Sequence, residues 1–118
     1  MTLAELYLPD FDREMDNTRR ILERVPTETF DYKPHEKSWA MGGLATHVAN
    51  LPTWASLMIG NDSFDIAPPG QPPMRAQKQS TSEELLAYFE TNAKSARASI
   101  EAATDEVLLG EWTLFAGP

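Results

Sequence analysis

Three stretches of this chain carry apolar residues at steps of three and four, which is the spacing of one face of an α-helix. They cover residues 3–24, residues 42–59, and a third stretch that begins at 80–82 and ends at 103. Prolines break the connectors at residues 26–40 and 61–80, and no segment alternates long enough to indicate a sheet. The 118 residues are therefore predicted to form a single all-α domain, residues 1–118, built as a helical bundle.

The helix ends carry recognisable signals. Thr2 and Glu5 form a Thr-x-x-Glu capping box before the first helix. Pro9 predicts either a kink or a late start of that helix, and Pro52 lies inside the second. Two capping boxes are possible for the third helix, Ser80 with Glu83 and Thr81 with Glu84. The 61–80 loop is marked by a cluster of turn residues: Pro68, Pro69, Gly70, Pro72 and Pro73.

The periodicity also predicts which side chains face the core. In the first helix these are Leu3, Tyr7, Phe11, Met15, Thr18, Leu22 and Val25, and in the third they are Leu85, Phe89, Ala93, Ala96, Ile100 and Ala103. In the second they are Leu44, His47, Val48, Leu51, Trp54 or Ala55, and Met58. The pattern thus predicts that His47 points into apolar surroundings. An imidazole placed there needs partners for its ring nitrogens, and a carbonyl, a hydroxyl or a metal ion would each serve.

Composition excludes several classes of function. The net charge is −8 with no basic stripe, which disfavours nucleic acid and anionic membranes as partners. The absence of cysteine excludes disulfides, thiolate zinc sites and a cysteine nucleophile, and it fits a reducing compartment. The N-terminus has no basic stretch before an apolar run, and no apolar run reaches the ~20 residues that span a bilayer. A cytoplasmic location is expected.

Other candidate residues have simpler interpretations. His35 lies in the first connector among charged neighbours, which indicates a surface position. Asp12 and Asp16 are one turn apart and could act as an acid–base pair, but the arginines around them indicate a solvated face. Ser38 would need an adjacent base to act as a nucleophile. The pair Gly42-Gly43 lacks the spacing of a phosphate-binding loop.

The chain resembles the DinB-like family, also called the DinB/YfiT-like family. The resemblance runs through residues 6–15, 17–26, 32–38, 44–52 and 83–87 and ends at Trp112-Thr113-Leu114, so it covers nearly the whole chain. It implies a four-helix bundle in which three histidines hold a divalent metal, often nickel or zinc. The first ligand lies in a Leu-Ala-x-His segment of the second helix, which corresponds to His47.

The resemblance also implies a chemistry. Characterised members include bacillithiol transferases and mycothiol-dependent maleylpyruvate isomerases, so a small-molecule thiol is an expected partner. A metal in such a site lowers the pKa of a bound thiol or water and so creates a nucleophile for transferase or hydrolase reactions. The implied function is therefore a metal-dependent one centred on His47.

The chain departs from the family pattern after its third helix. The two remaining family ligands lie on a fourth helix in a His-x-x-x-His arrangement, which these 118 residues do not contain. With three of four helices present, we expect a C-terminally incomplete domain, or one whose open face is closed by a second copy. Association as a homodimer is expected in both cases, with low metal occupancy. The alternative function is a non-catalytic helical bundle that acts as a dimer.

Overall fold

The computed structural model describes residues 1–72 and 74–116, and within them the fold is all-α, as predicted. Its helices are α1 (Leu3–Leu22), α2 (Met41–Asn50), α3 (Thr53–Gly60), α4 (Ser82–Ala102) and α5 (Asp105–Leu109). Two short strands, β1 (Ser63–Asp65) and β2 (Thr113–Phe115), pair in parallel. Strands of three residues are too short to show alternation, so the sequence did not predict them. Pro73, part of the predicted loop signal, lies outside the described residues.

The predicted helix starts are confirmed. The Thr2 hydroxyl accepts a hydrogen bond of 3.1 Å from the Glu5 amide, and the Glu5 carboxylate accepts one of 3.0 Å from the Thr2 amide. At the start of α4 the N-cap is Thr81, as in the second alternative, because its hydroxyl accepts a hydrogen bond from the amide of Glu84. The capping box is only half formed, since the Glu84 carboxylate accepts its hydrogen bond from the Ser80 amide and not from that of Thr81. Helix α1 runs through Pro9 without interruption.

The predicted second helix is divided at Pro52. Proline has no N–H to donate to the carbonyl four residues earlier, so α2 ends at Asn50 and α3 begins at Thr53. Both Leu51 and Pro52 keep helical backbone angles. The chain therefore continues in helical conformation through the break.

Helix α4 is the centre of the fold. It packs against α1 on one side and against α2 and α3 on the other, while α1 and α2 scarcely touch each other. The result is a slab of 45 × 38 × 20 Å rather than a closed bundle. Two buried clusters line α4, the first formed by Leu22, Phe30, Ala45, Ala49, Leu85, Phe89 and Ala93, and the second by Ala4, Phe11, Ala96 and Ile100.

The core faces of α1 and α4 largely follow the predicted pattern. The predicted inward residues of α4 from Leu85 to Ile100 are all buried. In α1, Phe11 and Leu22 are buried as predicted, but Tyr7 is 53% exposed and Ala4 takes its place in the core. Across the described residues, no helix is both long and apolar enough to cross a membrane.

Candidate functional site around His47

The face of α2 that packs on α4 differs from the predicted one. The buried positions are Gly42, Ala45, Thr46 and Ala49, whereas Leu44 and Leu51 are nearly half exposed and His47 is exposed. The helical period was correct, but the inward direction was wrong by about half a turn. Small side chains let α2 approach α4 closely, and the side-chain amide of Asn92 on α4 donates a 2.9 Å hydrogen bond to the carbonyl of Ala49.

His47 lines a cleft of about 460 Å³ between α2, α3, α4 and the segment of residues 74–78. The Trp39 ring meets the imidazole edge-on, with 5.1 Å between the ring centroids. Neither ring nitrogen of His47 is hydrogen-bonded to any described residue. The carbonyl and hydroxyl partners considered from sequence are therefore not found in the described part of the chain, and the imidazole is open to solvent and ligands.

Hydrogen-bonded polar groups also line this cleft. The Tyr88 hydroxyl donates a 2.5 Å hydrogen bond to the side-chain oxygen of Asn50, one turn after His47 on α2. The Thr53 hydroxyl donates to the backbone carbonyl of Asn50 at 2.7 Å. These bonds fix the phenol and the amide relative to α2, so the polar wall is preorganised beside His47.

The charged residues lining the cleft are basic. Arg75 and Lys78 are part of its wall, and none of the described lining residues is an aspartate or a glutamate. The whole chain has a net charge of −8, so the positive charge of this cleft lining is opposite in sign to the charge of the chain. These two residues were not among the site residues predicted from the sequence. Their signal was present, since they are the only basic residues of the 61–80 loop.

The first turn of α2 is held by the connector that precedes it. Ala40 offers no side-chain cap, but the amides of Met41 and Gly42 donate hydrogen bonds to the carbonyls of Tyr32 and Phe30. A Cβ at Gly42 would lie 2.8–3.0 Å from atoms of the buried Phe30 side chain. Glycine is therefore required there for close packing, whereas Gly43 faces open space.

The other candidate residues lie away from the cleft. His35 is exposed on the connector, and its Nδ1 accepts a hydrogen bond from the Lys37 amide. Ser38 lies in a separate apolar groove with no histidine or carboxylate among the described residues that line it. The exposed position of His35 thus agrees with its predicted surface role, and Ser38 lacks, among the described residues lining its groove, the adjacent base that a nucleophile would need.

Asp12 and Asp16 belong to ion pairs. Arg97 on α4 donates two hydrogen bonds to Asp12, at 2.9 and 3.1 Å, and Arg20 lies 2.9 Å from Asp16. The hydrogen bonds from Arg97 hold the pKa of the Asp12 carboxyl below its ordinary value, partly opposed by desolvation. A carboxyl held ionised by an arginine is a structural group, as the sequence indicated.

A complete metal site is not formed by the described residues. Among residues 1–72 and 74–116 no group of three or more histidine, cysteine, aspartate or glutamate side chains is placed to hold a metal ion. Protein metal sites of catalytic type use about three protein ligands. His47 therefore offers one imidazole, and these residues by themselves do not fit a metal.

A family model described as the DinB superfamily matches residues 10–115. Comparison with curated proteins and with solved structures gave no match. The matched range takes in α1 from residue 10 onward, the whole of α2, α3, α4 and α5, and every described residue that lines the His47 cleft. The chain therefore belongs to the DinB superfamily.

Proposed function

We propose that the His47 cleft is the functional centre of a metal-dependent protein, in which His47 supplies one ligand to a divalent ion, nickel or zinc. The observation that carries this proposal is an imidazole with no hydrogen-bond partner among the described residues, in the lining of a cleft with a preorganised polar wall. Imidazole suits both metals. Membership of the DinB superfamily agrees with it.

The remaining donors come, in this proposal, from a second copy of the chain. On α2 the side chains of Leu44 and Leu51 are exposed on either side of His47 along the chain. A partner that covers this face would bury apolar surface and bring polar groups close to the imidazole.

The chemistry proposed for the assembled site is thiol-dependent transfer or hydrolysis of a small molecule. A divalent ion held there by His47 and donors of the second copy would supply Lewis-acid activation of a small-molecule thiol or of water. The chain's own contribution is the cleft: Tyr88 and Asn50 hold fixed polar groups beside His47, and Trp39 and Trp54 provide aromatic walls. This arrangement suits a ligand with both apolar and polar parts.

Metal titration of the tag-free protein tests this proposal. Calorimetric titration with NiCl₂ or ZnSO₄ is expected to show binding by the wild type and a loss of at least tenfold in affinity for His47→Ala. His35→Ala is the matched control, because His35 is the only other histidine and lies outside the cleft. Equal affinity in wild type and His47→Ala would contradict the proposal.

The second candidate function is a non-catalytic helical bundle that acts as a homodimer. It is favoured by the missing ligand cluster among the described residues and by the exposed apolar face. Sedimentation velocity over a range of concentrations separates the two candidates. A metal-independent dimer with no metal affinity supports the second, and a dimer that strengthens when nickel or zinc is added supports the first.

A further inference from the structure

The wall of the His47 cleft that carries Arg75 and Lys78 is fixed in place at both ends. Just before Arg75, the Met74 amide donates a 2.7 Å hydrogen bond to the carbonyl of Ile66. Just after Lys78, the Gln79 amide donates a 3.1 Å hydrogen bond to the hydroxyl of Thr46, which is buried on α2. The four residues between these anchors are therefore held against the cleft.

The two cations on this wall are not neutralised. No described carboxylate lies within ion-pair distance of the Arg75 guanidinium or the Lys78 ammonium, whereas Arg19 and Arg97 elsewhere each have such partners. No described residue lining the cleft is acidic. Two positive charges at one concave surface, without carboxylates in its lining, attract an anionic ligand.

The rest of the cleft limits the shape of that ligand. Trp39 and Trp54 line it with aromatic surface, and Leu57 adds an aliphatic side chain. A cleft of about 460 Å³ is the size of a small-molecule site. The ligand that matches these walls is a small organic anion with a flat apolar part.

We propose that the His47 cleft binds small organic anions, carboxylates with a flat apolar body, and that Arg75 and Lys78 select for the negative charge. This inference rests on the proposed function only in taking the cleft as a ligand site, since the anion needs no metal. It predicts that the carboxylate end lies at the 75–78 wall and the apolar body between the tryptophans.

The test compares the binding of 2-naphthoate with that of its neutral isostere 2-naphthamide. Each compound is titrated into the full chain in the presence of EDTA, and binding is followed by the NMR signals of the indole N–H groups of Trp39 and Trp54. We expect the anion to bind about tenfold more tightly, which is about the size of one charge-assisted hydrogen bond. The double variant Arg75→Gln/Lys78→Gln is expected to lose this preference. Equal binding of acid and amide by the wild type would overturn the proposal.

The control double variant is Arg20→Gln/Lys94→Gln, which removes the same charge from exposed positions outside the cleft. This control variant is expected to keep the tenfold preference for the anion. Loss of the preference in the control would show a general effect of net charge and would overturn the proposal. In His47→Ala the preference should persist. If the anion preference persists in His47→Ala while neither the wild type nor any variant binds metal, the anion site stands and the metal proposal alone is wrong. An anion preference seen only with added metal would overturn it.

Discussion

The cavities on the two sides of α4 differ in whether their charged side chains are paired. The groove between α1 and α4, which we call the paired groove, is lined by Asp12, Asp16, Arg19, Glu90 and Arg97 among others, and both arginines bind carboxylates. The His47 cleft on the other side is lined by Arg75 and Lys78, neither of which has a described carboxylate partner. The two cavities are similar in size, about 590 and 460 Å³.

The difference separates charge that supports the fold from charge that is free for a ligand. In the paired groove, Arg19 donates hydrogen bonds to Glu90 and Arg97 donates them to Asp12, and these bonds raise the pKa values of both arginines. Each of these cations is therefore paired with a carboxylate of the neighbouring helix. Arg19 also lies over the buried Phe89 ring at 5.7 Å. In the His47 cleft the polar groups are positioned but the cations are not paired. We therefore expect substitutions in the paired groove to affect stability and those in the cleft to affect binding.

The largest expected contrast in stability is between Phe11→Ala and His47→Ala. Phe11 is 7% exposed where the paired groove meets the core, and its truncation should lower the free energy of unfolding by about 3–5 kcal/mol. His47 is exposed, so its truncation should change that free energy by less than about 0.5 kcal/mol. Urea denaturation measures both. A large loss of stability in His47→Ala would show that the cleft is a structural element and break the comparison.

Alanine substitutions at two adjacent glycines are expected to change the stability by intermediate amounts, in opposite directions. Gly42→Ala places a methyl group less than 3 Å from atoms of the buried Phe30 ring and should destabilise the protein by about 1–3 kcal/mol. Gly43→Ala meets no atom within 4 Å and should stabilise α2 by up to about 1 kcal/mol, because alanine favours helix. Thermal unfolding of the two variants should therefore shift in opposite directions. Shifts of the same sign would show that the connector does not hold α2 as described.

The smallest effect concerns the Asp12–Arg97 ion pair. The pKa of Asp12 lies below its ordinary value of 3.8, so ionisation of this carboxyl adds stability at neutral pH that is lost as the pH falls below that value. The variant Asp12→Asn cannot ionise. The difference in unfolding free energy between wild type and Asp12→Asn should thus be greatest near neutral pH and shrink in acid. The control Asp31→Asn removes a charge with no cation contact among the described residues. A difference that grows in acid would contradict the assignment.

Local signals in the sequence predicted the fold well. The capping residues Thr2 and Thr81 act within one turn of their partners, and the core positions of α4 follow from period alone. The exposure of His47 could not be predicted in this way. The face of α2 that is buried depends on close packing against α4, and the small residues Ala45 and Ala49 are the ones that allow it. Hydrophobic patterning pointed to the larger Leu44 and Leu51 instead.

The candidate site was predictable only in its central residue. His47 was identified from its segment, but the cleft around it is assembled from residues far apart in the chain. The Tyr88 hydroxyl bonds to Asn50, which lies 38 positions earlier in the chain. The segment that carries Lys78 is held through the hydrogen bond from Gln79 to Thr46, two residues that are 33 positions apart. Such contacts depend on how helices and loops pack, and no local pattern encodes them.

The central claim, that His47 in this cleft is a ligand to a divalent metal, is tested most directly by the metal content of the purified chain. Elemental mass spectrometry should be applied to tag-free wild type, His47→Ala and His35→Ala. We expect nickel or zinc in the wild type and in His35→Ala, even at low occupancy, and none in His47→Ala. The same metal content in all three proteins, or none in any of them, would contradict it.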